Sequence, residues 1–149
     1  MTVSNQHASP SVDADRWLST PVGMALAGVL AAGTLVGLTS PGQDTGVEAA
    51  ALILTLVYGI YVGFALTRGD LGALAIEIGF VLVGLVLIGL GLWRSPGWLA
   101  VGFALHGGWD LLHHRDRHVL GVRGVPVWYV PACAVYDWIV AAGVAVLIT

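Results

Sequence analysis

The residues able to do chemistry in this chain are few, and most of them fall in one stretch. Leu105-His106-Gly107-Gly108-Trp109-Asp110-Leu111-Leu112-His113-His114 holds three of the five histidines and an aspartate. On an α-helix, successive residues turn by about 100°. With His106 at zero, Asp110 lies about 40° away and His113 about 20° the other way. The three share one face, and His114 lies at its edge, about 80° off. Imidazole and carboxylate groups held this close can coordinate a divalent metal together or pass a proton between them.

The elements that must position these groups are membrane helices. The chain has 149 residues, 57% of them hydrophobic and only 10% charged, and a mean hydropathy of +0.86. A soluble domain would carry about 25% charged residues. Apolar runs of about 20 residues, the length that crosses a bilayer core of about 30 Å, recur along the sequence. They predict an all-α polytopic membrane protein, a bundle of five transmembrane helices with spans at about 17–38, 47–67, 71–93, 98–114 and 127–148. Residues 1–16 are polar and lack periodicity, which predicts a disordered tail ahead of one membrane domain over 17–149. The first span reads as a retained helix: its leader is not positively charged, and its apolar run exceeds the roughly 7–15 residues of a signal-peptide core.

Short polar turns separate the spans: Pro41-Gly42, Arg68-Gly69-Asp70, Arg94-Ser95-Pro96-Gly97, and a longer loop from Arg115 to Pro126. The Arg-Gly-Asp triplet lies in a three-residue turn, where its likeness to an adhesion motif is coincidence. Trp17, Trp93, Trp98, Trp128 and Tyr129 fall at span ends, as an interfacial aromatic belt requires. Arg16, Arg68, Arg115, Arg117 and Arg123 fall on the side of the N-terminus, and only Arg94 on the other. Cytoplasmic loops carry the excess of basic residues, so the N-terminus is expected in the cytoplasm, the C-terminus outside, and the protein in the cell membrane as a multi-pass chain.

Depth along each span brings further polar groups toward the His106 stretch. His106 and Asp137 fall near the midplane, Glu77, Asp110 and Tyr61 in the cytoplasmic half, and His113 and His114 at the cytoplasmic interface. A charge at the bilayer centre costs about 2.5–3.5 kcal/mol on insertion scales. Such groups are expected to face one another inside the bundle. Gly107 and Gly108 would allow close helix approach beside them. Trp109, Tyr136 and Trp138 read as packing around the group.

The His106…Trp109-Asp110…His113-His114 run, followed by Trp128-Tyr129-Val130-Pro131-Ala132-Cys133 and Asp137, resembles a pattern of small prokaryotic integral membrane proteins of unassigned activity. The resemblance covers about the last third of the chain and implies no reaction. A fainter similarity links it to membrane hydrolases of the alkaline ceramidase type, which hold zinc with histidines and an aspartate. Those are larger, with seven spans. Membrane desaturases use many more histidines than this chain has.

Three functions follow from the residues. In a metal-dependent membrane enzyme, His106, Asp110, His113 and Asp137 would hold zinc or iron, with His114 as an alternative ligand. Glu77 and Asp137 would be the catalytic carboxylates, Glu77 as general base toward a water whose pKa the metal lowers toward about 7. The substrate would be a lipid or another apolar molecule. In a small transporter or channel, Glu77, His106, Asp110 and Asp137 would form a proton or cation relay, although no inverted repeat is visible. In a structural subunit, the polar cluster would fix helix packing. The Gly-rich helices, with Gly33/Gly37 and Gly59/Gly63 spaced as GxxxG, would suit a homo-oligomer. A net charge of −3 without a basic stripe excludes nucleic acid as a partner. The single Cys133 excludes an intrachain disulfide framework. No phosphate-binding glycine loop occurs in a strand-to-helix context, so no nucleotide cofactor is implied.

Overall fold

A computed structural model describes residues 11–68, 71–114 and 128–148. Gly69 and Asp70 of the expected Arg-Gly-Asp turn, the basic loop with Arg115, Arg117 and Arg123, and most of the N-terminal tail lie outside the described residues. Five α-helices account for nearly all of what is described: α1 (Ser11–Thr39), α2 (Gln43–Arg68), α3 (Leu71–Trp93), α4 (Gly97–Leu112) and α5 (Tyr129–Leu147). Helix α1 begins six residues ahead of the expected span start at Trp17.

Four of these helices are long and apolar enough to cross a membrane: Thr20–Thr39, Gln43–Thr67, Leu71–Trp93 and Tyr129–Leu147. The helix that carries the His106 stretch is the short one. Its 16 residues span about 24 Å at about 1.5 Å per residue, less than a hydrocarbon core of about 30 Å. Pro96 occupies its N-cap and His113 its C-cap, where the His113 backbone N–H still donates to the Asp110 carbonyl. The α1–α2 turn relies on Gly42, whose φ of +99° lies in the left-handed region that a Cβ disfavours.

The bundle turns its ionisable residues inward and covers its outside with apolar side chains. Val29, Leu30, Val36, Leu56 and Val86 are each more than 60% exposed, whereas Glu77, His106, Asp110, His113 and Asp137 are all buried. That inversion is what a hydrocarbon solvent favours, since it leaves ionisable groups only the bundle interior. In space the helices follow the order α1, α5, α4, α3, α2, and α2 also touches α1 and α4. An apolar core with Leu38, Leu54, Leu99, Phe103 and Val144 fills the end near the α1–α2 turn, where Gln43 Nε2 donates to the Ile148 carbonyl at 2.9 Å. The polar residues occupy the other half.

Glycine sets two of the close approaches around them. A Cβ on Gly107 would lie 2.7 Å from Trp138 Nε1, so its absence lets α5 settle against α4. Gly84 makes the same room for the Tyr58 ring. Gly108 and the four GxxxG glycines Gly33, Gly37, Gly59 and Gly63 have nothing within 4 Å of such an atom. Their spacing serves no contact among the described residues.

Candidate metal centre

The stripe expected on α4 exists, and it divides between two neighbours. His106, Asp110 and His113 are all buried. Because α4 packs between α5 and α3, the upper part of the stripe meets Asp137 and the lower part meets Glu77.

The first group is His106, Asp110 and Asp137. Asp137 Oδ2 on α5 lies 2.6 Å from His106 Nδ1, and Asp110 Oδ2 lies 3.8 Å from the same nitrogen. Tyr61 on α2 donates its hydroxyl hydrogen to Asp110 Oδ1 at 2.6 Å. The imidazole is enclosed by aromatic rings, with Tyr58, Tyr61 and Phe80 at centroid distances of 5.1, 5.9 and 6.0 Å. Tyr58 donates to the Gly102 carbonyl at 3.2 Å, which fixes that ring against α4.

Three buried atoms of this group have no hydrogen-bond partner: His106 Nε2, Asp110 Oδ2 and Asp137 Oδ1. An unmade hydrogen bond on a buried polar atom costs about 1–3 kcal/mol. Two are carboxylate oxygens, which only accept while ionised. With Nδ1–H donated to Asp137, Nε2 of a neutral imidazole also presents a lone pair. All three atoms therefore present lone pairs to whatever neutralises them. The group could hold a metal ion: one ligand atom from each residue can be chosen so that all lie within 4.8 Å of one another. Tetrahedral bonds of about 2.0–2.2 Å would set those atoms about 3.4 Å apart, so closing on an ion takes side-chain movement of about an ångström.

The second group is Glu77 and His113. His113 Nε2 lies 2.8 Å from Glu77 Oε1, and Trp109 Nε1 donates to Glu77 Oε2 at 3.0 Å. His113 Nδ1 lies 3.0 Å from the Trp109 carbonyl, and a carbonyl only accepts, so Nδ1 carries a hydrogen. One further proton lies between Nε2 and Glu77. Trp109 is held flat against Phe80 at 4.0 Å, and Tyr61 stacks on His113 at 3.9 Å. Every side-chain polar atom of this pair has a partner.

The structure thus brings together three of the four expected ligands. His113 does not join them, because both its ring nitrogens are engaged elsewhere. Glu77, expected as general base, is bonded to His113 and Trp109 instead. His114 sits half-buried just past the end of α4, outside the group of three.

A cavity of about 200 Å³ borders the first group between α2 and α5. His106, Asp110 and Asp137 line it, with Tyr61, Val57 and Ile60 from α2. From α5 come Tyr129, Cys133 and Tyr136. Glu77 and His113 do not line it.

Sequence reasoning passed over several of these roles. Trp109 and Tyr136 read as packing, yet Trp109 donates to Glu77 and Tyr136 lies 3.1 Å from the Thr34 hydroxyl. Depth along the spans sets Tyr61 level with Glu77 and gives its hydroxyl no partner. The available signal was Tyr58 and Tyr61 one turn apart in an apolar helix, where each hydroxyl must find an acceptor. Cys133 stands one turn before Asp137, and that spacing puts it on the same wall. Comparisons with protein-family models, curated proteins and solved structures found no match, so the chemistry rests on this geometry.

Proposed function

We propose that this chain is a five-span membrane protein, N-terminus cytoplasmic and C-terminus outside, that binds one zinc or iron ion at His106, Asp110 and Asp137. On this reading it is a metal-dependent membrane enzyme acting on an apolar substrate. The observation that carries the proposal is the buried grouping of His106, Asp110 and Asp137, one ligand atom from each within 4.8 Å, beside a cavity that the three residues line. Two carboxyl groups and an imidazole stand together here, and no Lys or Arg pairs with them among the described residues. A divalent cation held by one atom from each of the three residues would offset the charge of the carboxylates. Three protein ligands beside a cavity also leave a coordination position open, as catalytic sites do and closed structural sites do not.

A bound metal would supply Lewis acidity, polarising an oxygen of the substrate or of water. The chain's own residues do the rest. His106 would offer Nδ1, the ring nitrogen that faces both carboxylates, and its contact with Asp137 would give way to the ion. Tyr61 holds Asp110 by Oδ1 and leaves Oδ2 available. Glu77 and His113 clamp α3 to α4.

A proton relay is the second reading, favoured by the row of ionisable groups from His106 to Glu77. Its weak link is Tyr61 and His113. They meet face to face as stacked rings, and no hydrogen bond joins them among the described residues.

Metal content tests the proposal. The protein is purified in detergent without a metal-binding tag, beside His106→Ala and Glu77→Gln, and subjected to elemental analysis. About one zinc or iron per chain, lost in His106→Ala and kept in Glu77→Gln, is the expected result. No metal in the wild-type protein, even after incubation with zinc and iron, sinks the proposal and leaves the relay for a liposome flux assay.

A further inference from the structure

We propose that the cavity between α2 and α5 is a binding pocket for a small, uncharged, mainly apolar molecule carrying one oxygen group. The ligand enters sideways from the bilayer, with its oxygen directed at His106, Asp110 and Asp137. The inference rests on the membrane and metal readings above and specifies the substrate class of that site.

Size sets the first limit. An apolar cavity of about 150 Å³ takes one benzene, so the 200 Å³ here takes about eight to ten non-hydrogen atoms. A two-chain lipid does not fit. Polarity sets the second. The lining is mostly apolar, with Val57 and Ile60 on α2, and His106, Asp110 and Asp137 border it from α4 and α5. Among the described residues no Arg lines the cavity to receive an anion, and two carboxylates repel one. A mainly apolar molecule with a single oxygen group matches a lining whose polar part is this small.

The packing sets the route. Helices α2 and α5 both border the cavity, yet they are not principal packing partners. Across the gap, Phe64 on α2 meets Tyr129 on α5 edge to face at 6.0 Å, which caps the end toward Arg68. The wall residues Val57, Ile60, Cys133 and Tyr136 are each half-buried. They lie on the flank of the bundle, which faces lipid when the helices span a membrane.

Cys133 is the chain's single cysteine and lines the cavity, so its alkylation reports on the pocket. The full chain in detergent is treated with N-ethylmaleimide, alone and with benzyl alcohol or toluene, and metal is counted on the same preparation. Benzyl alcohol is expected to slow alkylation at least fivefold and toluene clearly less. Ile60→Trp, which fills the cavity, is expected to slow alkylation by itself and to remove the benzyl alcohol effect. Val57→Phe gives the same comparison if Ile60→Trp does not fold. In phosphatidylcholine vesicles, N-ethylmaleimide should label Cys133 and a charged, membrane-impermeant maleimide should not.

Alkylation unaffected by benzyl alcohol, or slowed equally in the filled variants, overturns the pocket. Equal protection by toluene overturns the oxygen requirement, and labelling by the charged reagent overturns sideways entry. Metal without protection removes the pocket and leaves the metal site standing. Protection without metal does the reverse.

Discussion

Two buried groups of acid and imidazole stand on the same face of α4, one turn or two apart, and they differ in one respect. Around Glu77 and His113 every side-chain polar atom has a partner. Around His106, Asp110 and Asp137 three do not. Burial and residue type are nearly the same in both, so neither separates a clamp from a binding site. Hydrogen-bond completeness does. A satisfied group gains nothing from a ligand and loses stability when cut. An unsatisfied group is held at a cost by the surrounding fold and gains when a cation or donor arrives.

The comparison breaks most directly at Glu77. Glu77→Ala leaves the Trp109 indole N–H and the His113 Nε2 buried without partners. Removing one side of a buried pair is expected to lower stability by about 3–5 kcal/mol, read as denaturant-induced unfolding in mixed micelles. Metal content per folded chain should not change. A loss of metal with little loss of stability would assign Glu77 to the site and dissolve the distinction.

Asp137→Asn is the matching cut in the other group. It removes one ligand oxygen and alters the hydrogen bond that orients His106, so metal affinity is expected to fall about 10–100-fold. The stability of the metal-free protein should move the opposite way from Glu77→Ala, because one uncompensated carboxylate is gone. Metal-chelated protein melted beside the wild type gives the sign. A metal-free Asp137→Asn less stable than the metal-free wild type would make the cluster structural.

Tyr61 touches both groups and sharpens the boundary between them. Tyr61→Phe keeps the ring on His113 and removes the hydroxyl from Asp110. A loss of about 1.5 kcal/mol is expected, the lower end for a hydrogen bond to a charged group. The effect should be additive with His113→Ala in a double-mutant cycle if the stacked rings carry no shared proton. Strong coupling between the two changes would instead revive the relay.

The smallest effect is expected at Trp109. Trp109→Phe keeps stacking on Phe80 and deletes only the N–H to Glu77. About 0.6–1 kcal/mol is expected, as for interhelical hydrogen bonds in membrane proteins. A larger loss would place more of the clamp's strength in the indole than in His113.

Much of this arrangement was legible in the sequence. The apolar runs gave the helices, since a chain in hydrocarbon must satisfy its backbone within each segment. The i, i+4, i+7 spacing put His106, Asp110 and His113 on one buried stripe, since helical period is a local property. Depth counting put Asp137 and Glu77 within reach of it. The length of α4 was less legible: Pro96 marks where it starts, but its end at Leu112, short of the expected His114, depends on how the last turn closes.

The sequence by itself determined that this is an all-helical chain with apolar surfaces and a few ionisable residues that must turn inward. Hydropathy and helical period depend on neighbours along the chain, and they require nothing else. Only the tertiary structure decided which acid each histidine received. A stripe on α4 is wide enough to face two helices, and the order α5, α4, α3 in space gave His106 to Asp137 and His113 to Glu77. The same packing left α2 and α5 apart, so that His106, Asp110 and Asp137 border a cavity. Contacts between helices far apart in sequence have no local signal, because shape and small residues such as Gly107 set them across the bundle.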